Sequence, residues 1–166
     1  MSARPGTFLL AWGFSVCLAA QPPLFTDLGP GVNWGVYDLV EDTLNDICYV
    51  GGEFGGLADG SLYCSGIMRW DGSSYSALGC GVGYGVWDCT TPIGNAGVVF
   101  EMTIWNGELY AGGGFDHSGT VPMKNIARWD GTAWQPMLGG VHGNVWGMKA
   151  CPDGLYVAGR FHHAVP

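Results

Sequence analysis

The sequence predicts an all-β fold built from repeated antiparallel units, and three observations support this prediction. Glycine accounts for 30 of the 166 residues without the every-third-residue period of collagen, which indicates many tight turns. Three different sequence elements recur in the same order along the chain, which is the signature of a repeat protein. Turn dipeptides such as Asn106-Gly107 separate short alternating segments, and no helical periodicity follows residue 20.

The recurring elements define a unit of about 50–60 residues. The hexapeptide Ile67–Gly72 returns as Ile126–Gly131. A second element, Tyr49–Phe54, returns as Tyr110–Phe115 and as Tyr156–Phe161. A Val-led segment precedes each of these, at Val36–Leu39, Val99–Met102 and Val145–Met148. We therefore expect residues 21–166 to contain units at about 28–77, 78–137 and 138–166.

The second unit divides into four short strands. Its segments are Val99–Trp105, Glu108–Gly113, Asn125–Trp129 and Thr132–Met137. Asn106-Gly107 favours a type I′ hairpin between the first two strands, because both central residues need positive φ. Asp130-Gly131 supplies the turn between the last two. Four antiparallel strands per repeated unit are typical of β-propeller blades, so we predict two complete blades and one half blade.

These residues resemble the kelch repeat and galactose-oxidase-type secreted propellers. The matching positions are Tyr49, Gly51, Gly52, Trp70 and Tyr75 in the first unit, Tyr110, Gly112, Gly113, Trp129 and Trp134 in the second, and Tyr156 and Gly159 in the third. Asp71-Gly72 and Asp130-Gly131 are further structural residues of the repeat. The third unit departs from the family pattern, because it has Ala158-Gly159 where the family has two glycines. The resemblance implies structural roles for these residues. No residue matches the copper ligands of galactose oxidase, so the resemblance implies neither a cofactor nor the oxidase activity.

The N-terminus has the features of a secretory signal peptide over residues 1–20. Arg4 precedes an apolar run, Thr7–Leu18, that is too short to span a bilayer. Cleavage is expected after Ala19 or Ala20. The alternative is a bacterial lipoprotein anchored through Cys17. We predict a secreted protein, extracellular or periplasmic, without a membrane span.

The charge balance excludes some partners. Fourteen Asp and Glu against six Lys and Arg give a formal net charge of −8. Nucleic acids and anionic membranes are bound by clustered Lys and Arg, so neither is an expected partner. Serine nucleophile elbows, phosphate loops and dinucleotide fingerprints are all missing from the sequence. We therefore predict no catalytic residue.

The cysteines of a secreted chain can form disulfides. We favour two local pairs, Cys48 with Cys64 and Cys80 with Cys89, although sequence alone does not fix the connectivity. The two cysteines of each pair lie on either side of a predicted loop. Cys151 is left over, as a free thiol or as the partner of a cysteine elsewhere.

Two clusters are weak candidates for metal binding. His117, His162 and His163 occupy matching loops of neighbouring units, and imidazoles from adjacent loops can bind a transition metal. The simpler interpretation is solvated loop histidines, and we predict no metal. An acidic group at Asp38, Glu41, Asp42 and Asp46 lacks EF-hand spacing, so a solvated turn is expected.

We therefore expect a non-catalytic scaffold or recognition segment that binds a protein or a glycan. The loops Gly55–Ser61, Asp116–Met123 and Gly83–Gly97 are the expected contacts, because rigid propellers carry function on loops. Two and a half units are too few for a ring of 4–8 blades. Either the chain is part of a longer protein or a truncated gene model, or two copies close a ring by strand exchange. The alternative function is an extracellular propeller enzyme, of oxidase or lyase type, with its catalytic residues beyond Pro166.

Overall fold

A computed structural model describes residues 29–90 and 96–164. The predicted signal peptide and Cys17 lie outside these residues. The described part is all-β and contains no helix, so no helix there could cross a membrane. Its strands are β1 (Gly35–Asp42), β2 (Ile47–Glu53), β3 (Ile67–Trp70), β4 (Tyr75–Ala77), β5 (Val98–Trp105), β6 (Glu108–Gly114), β7 (His117–Ser118), β8 (Val121–Pro122), β9 (Ile126–Trp129), β10 (Trp134–Pro136), β11 (Val141–Cys151) and β12 (Gly154–Ala164).

The strands form two successive four-stranded antiparallel sheets. In the first, β1, β2, β3 and β4 pair in chain order, and in the second β5, β6, β9 and β10 do the same. One residue pair, Glu53 with Val98, joins the two into a single curled sheet. Strands β11 and β12 form a long hairpin, and β7 with β8 forms a short one.

The strands lie where the sequence pattern predicts them. The turn between β5 and β6 has Asn106 at φ 53° and Gly107 at φ 79°, so the predicted hairpin turn with two positive φ angles is confirmed. The small hairpin of β7 and β8 falls in a segment that we expected to be an irregular loop. All the strands fall inside the three predicted units, whose boundaries remain a prediction.

A β-bulge interrupts the first strand of every unit at the same place. The register shifts between Val36 and Asp38, between Val99 and Glu101, and between Val145 and Gly147. The extra residue is aromatic each time, namely Tyr37, Phe100 or Trp146. A bulge leaves one residue without a partner in the ladder and increases the local twist. The Val-led sequence element is therefore a bulge motif.

The bulge explains the second glycine of the recurring Gly-Gly pair. A Cβ atom at Gly52, Gly113 or Gly159 would lie 2.1, 1.8 or 2.2 Å from a backbone carbonyl oxygen just before the bulge. These distances are far below van der Waals contact, and the obstacle is main chain. Only glycine fits opposite the bulged residue, in all three units.

The first glycine of the pair is required by packing between units. A Cβ atom at Gly51 would lie 2.8 Å from Val99 Cγ1, and one at Gly112 would lie 2.5 Å from Val145 Cγ1. Each glycine therefore leaves room for the Val side chain on the first strand of the next unit. Ala158, at the same place in the third unit, is exposed.

Three clusters of buried side chains follow from this packing. The largest lies between the two four-stranded sheets and includes Tyr49, Ile67, Val99, Met102, Leu109 and Trp134. A second joins the second sheet to the β11–β12 hairpin through Tyr110, Ile126, Val145 and Met148. The third covers the other face of the first sheet, with Val50, Phe54, Leu57, Cys64 and Met68. Side chains alternate between faces along each strand, so neighbours such as Tyr49 and Val50 join different clusters.

The recurring Trp-Asp-Gly motif forms the turn between the third and fourth strands. Asp71 Oδ1 accepts hydrogen bonds from the backbone N–H groups of Ser73 and Ser74, at 2.9 and 2.8 Å. Asp130 Oδ1 accepts the equivalent pair from Thr132 and Ala133. Such side-chain bonds to the following backbone are typical of Asx turns. Gly72 and Gly131 follow with φ of 89° and 98°.

Candidate functional site

The three predicted contact loops emerge from one end of the sheets. The segments Gly55–Ser61 and Asp116–Met123 follow the second strand of their units, and Gly83–Gly97, which we call the insertion, precedes the first strand of the second unit. The end of β2 pairs with the start of β5, and the start of β5 pairs with the end of β6. All three loops therefore begin at one edge, which we call the loop end.

Two of these loops are joined by backbone hydrogen bonds. Gly83 donates its N–H to His117 O at 2.9 Å and accepts from the N–H of Asp116, also at 2.9 Å. Gly85 donates to Asp116 Oδ1 at 2.7 Å, and Trp87 donates to Gly119 O at 3.3 Å. The described part of the insertion thus lies along the β7–β8 hairpin. The third loop, Gly55–Ser61, pairs instead with the segment that precedes β1, through a single bridge between Val32 and Leu57.

A disulfide between Cys80 and Cys89 closes the base of the insertion, as the sequence predicts. Both sulfur atoms approach the tip of the β7–β8 hairpin. A Cβ atom at Gly119 would lie 2.7 Å from Cys89 Sγ and 2.8 Å from Cys80 Sγ, and φ of Gly119 is 57°. The disulfide therefore restrains the hairpin as well as the insertion.

The hairpin lies between two open grooves. One has a volume of about 430 Å³ and is lined by residues that include Asp116, Met123 and Leu138. The other, of about 380 Å³, lies beside the disulfide and is lined by residues that include Trp87, Val121 and Trp134. Val121 and Leu138 are exposed apolar side chains. A ligand at the loop end would meet a β-hairpin with exposed Val121 and a groove on each side.

The Asp116 carboxylate, directly before β7, bonds to both the hairpin and the insertion. Its Oδ1 atom lies 2.7 Å from His117 Nδ1. Partial burial alone would raise the pKa of Asp116, but the hydrogen bonds from His117 and from Gly85 outweigh that effect and lower it. The carboxylate is thus ionised at neutral pH and fixes both the imidazole and the insertion.

The histidines do not assemble into a metal site among the described residues. His117 lies on β7 against Asp116, and His162 is exposed near the end of β12. His163 lies in the same strand. Within residues 29–90 and 96–164, no group of three or more His, Cys, Asp and Glu side chains is placed to hold a metal ion.

The predicted disulfide between Cys48 and Cys64 is not formed, so that prediction was wrong. Both residues have free thiols, as does Cys151. Cys48 is the second residue of β2, whereas the N–H of Cys64 bonds to Gly55 O at 3.0 Å, beyond the other end of that strand. At about 3.3 Å per residue the two cysteines are roughly 20 Å apart. A disulfide needs Cα atoms within about 7 Å.

The acidic residues of the first hairpin have separate local roles. Asp42 closes the β1–β2 turn by accepting hydrogen bonds from the N–H groups of Leu44 and Asn45. Asp46 lies in the same turn with φ of 53°. Asp38 instead bonds across to the second unit, accepting from Met102 N–H at 2.6 Å. The four carboxylates therefore do not act as one group.

Sequence reasoning missed two features of this region. One is the β7–β8 hairpin, whose strands have only two residues each, too few for a periodic signal. The other is the aromatic bulge. Its signal was present, because an aromatic residue follows the Val of the recurring element in all three units.

Comparison of this chain with protein-family models, with curated proteins and with solved structures found no match.

Proposed function

We propose that this chain is a non-catalytic recognition segment of a secreted, kelch-like β-propeller protein. In this proposal each four-stranded sheet is a blade, and the β11–β12 hairpin is the inner half of a third. A protein or a glycan binds at the loop end. The repeated bulge, the Gly-Gly pair and the front-to-back packing of successive sheets support the blade assignment, because each unit offers the same face to the next.

The observation that carries the recognition role is the restrained β7–β8 hairpin. Its backbone is bonded to the insertion through Gly83, and its tip is held by the Cys80–Cys89 disulfide. A loop that is ordered before binding loses less conformational entropy when a ligand arrives. Apolar Val121 and a groove on each side give such a ligand both contact area and shape.

The exposed face of the first unit supports further blades in the complete assembly. Val36 and Leu39 occupy the positions of Val99 and Met102, but they are 44% and 61% exposed. A neighbouring unit would cover them as Tyr49 and Gly51 cover their counterparts. Additional units of a longer chain or a second copy of this one would supply that cover.

An array of extracellular glycans and purified secreted proteins tests the recognition role. We expect a ligand whose binding is lost or weakened at least tenfold by Val121→Ser at the hairpin. Leu44→Ser is the matched control, because Leu44 is an exposed aliphatic residue at the opposite end of the sheet. Binding that is lost equally in both variants, or no binder across the array, would count against the proposal.

A further inference from the structure

The three bulges place aromatic side chains in a recurring position that no core cluster uses. Tyr37 and Trp146 are 49% and 56% exposed. Phe100, between them in the order of units, is partly buried, and its ring stacks on Tyr37 with centroids 5.7 Å apart and an interplanar angle of 25°. We call these three residues the bulge aromatics.

Carboxylates accompany the bulge aromatics in the first two units. Asp38 and Glu101 directly follow Tyr37 and Phe100 in the chain. Glu53 Oε2 accepts a hydrogen bond from Tyr37 Oη at 3.0 Å. Asp38 Oδ2 lies 2.6 Å from the backbone nitrogen of Met102, the residue after Glu101. Burial, then the charge of Asp38, raises the pKa of Glu101.

No cation of the described residues neutralises this charge. The ion pairs found there are His117 with Asp116 and Arg128 with Glu108, and neither involves the carboxylates beside the bulge aromatics. Burial, then the charges of Asp116 and Glu53, raise the pKa of Tyr84, so a fourth ring also lies within the electrostatic reach of Glu53. Asp38 accepts hydrogen bonds from the N–H groups of Leu39 and Met102, which orient its carboxylate but carry no positive charge. The surface combines ring faces with carboxylates that have no cationic partner among the described residues.

A guanidinium group matches both features. It is planar, it stacks on aromatic faces, and it forms paired hydrogen bonds with carboxylates. An ammonium group would satisfy the charge but not the flat stacking surface. A neutral ligand would supply no counter-charge to the carboxylates of Asp38 and Glu101.

We propose that Tyr37 and Phe100, with Asp38, Glu53 and Glu101, form a binding site for an arginine side chain of a partner protein. The site adjoins the loop end, where Glu53 pairs with Val98, but it uses no residue of the β7–β8 hairpin and does not depend on the role proposed for that hairpin. Binding forms no covalent bond and needs no cofactor.

A matched pair of short peptides tests this proposal. The probes are acetyl-Gly-Arg-Gly-amide and the same peptide with citrulline, which keeps the shape of arginine and lacks its charge. We expect the arginine peptide to shift the amide resonances of residues 37, 38, 100 and 101 of the whole chain in NMR titrations, with a dissociation constant on the order of 1 mM. Citrulline should bind at least about fivefold more weakly.

Variants locate the site. Tyr37→Leu and Glu101→Gln should each weaken the arginine peptide by about threefold or more. Tyr63→Leu is the control, because Tyr63 is 52% exposed and lies in a different loop. Equal shifts with arginine and citrulline would overturn the proposal, and so would unchanged binding to both test variants. An effect of Tyr63→Leu as large as that of Tyr37→Leu would also overturn it. Unchanged NMR dispersion verifies that each variant is folded.

Discussion

The first strands of the first and second units share one sequence pattern and one geometry but differ in burial. Both contain a Val, a bulged aromatic residue, a carboxylate and a long aliphatic residue. In β5, Val99 and Met102 are buried. In β1, the equivalent Val36 and Leu39 are largely exposed. The difference lies in the neighbour, because Tyr49 and Gly51 pack on β5 and no described residue plays that part for β1.

The third unit shows the same contrast on the opposite face. Tyr49 and Tyr110 are buried against the unit that follows each of them, whereas Tyr156 is 57% exposed. The repeat therefore specifies an interface as well as a sheet. Each unit carries one half of that interface on its first strand and the other half on its second. Within residues 29–90 and 96–164, one half of each kind is uncovered.

Disrupting the β-bulge should lower the free energy of unfolding more than any other change considered. A methyl group at position 113 would lie 1.8 Å from Val98 O, so Gly113→Ala forces apart two backbones inside the core. We expect a loss of at least about 3 kcal/mol of unfolding free energy, measured by urea denaturation. Gly147→Ala is the control, because nothing lies within 4 Å of its added methyl group. Equal stability of the two variants would contradict the bulge explanation.

Truncating equivalent side chains compares the two strands directly. Met102→Ala removes a buried side chain and should lower the unfolding free energy by about 2–5 kcal/mol. Leu39→Ala removes an exposed one and should change it by less than about 0.5 kcal/mol in the isolated chain. Similar losses in both variants would show that Leu39 is already covered when the chain is alone in solution.

Removing one hydrogen bond tests how the second unit is tied to the segment that leads into it. Trp134 is buried, and its indole Nε1 donates to Leu78 O at 3.0 Å. Trp134→Phe removes one of the two hydrogen bonds to that carbonyl, which also accepts Gly81 N–H at 3.0 Å, and should cost about 1 kcal/mol. Trp34→Phe, at an exposed position, should cost almost nothing. A melting temperature that is the same for both variants would contradict this account.

The smallest effect concerns the Trp-Asp-Gly turns. Hydrogen bonds, first from the Ser73 hydroxyl and then from the N–H groups of Ser74 and Ser73, lower the pKa of Asp71 from 3.8 to about 2. Because the folded pKa is the lower one, this stabilisation is present above about pH 4 and is lost as the pH falls toward about 2. The melting temperatures of the wild type and of Asp71→Asn should therefore converge on acidification. A constant difference across that range would contradict it.

Much of the fold could be predicted from the sequence because its determinants are local. Asn106-Gly107 fixes a hairpin, Asp71 and Asp130 fix turns, and the spacing of nine residues between Cys80 and Cys89 matches a short closed loop. The pairing of Cys48 with Cys64 was wrong, because Cys48 lies at the start of β2 and Cys64 lies past its other end, so the extended strand holds the two residues apart.

The candidate site was less predictable because it depends on contacts between loops. The β7–β8 hairpin is held by Gly83 and by the disulfide, and these lie in a different part of the sequence. The bulge aromatics were visible as a recurring residue type. Their exposure, however, follows from a one-residue register shift that periodicity does not reveal.

A crystal structure of the protein in its native assembly would test the central claim most directly. The account predicts that Val36 and Leu39 are covered by the second strand of another unit, with a Tyr and a small residue placed as Tyr49 and Gly51 are placed against Val99 and Met102. Solvent on that face of β1, or a cover of a different architecture, would contradict the account.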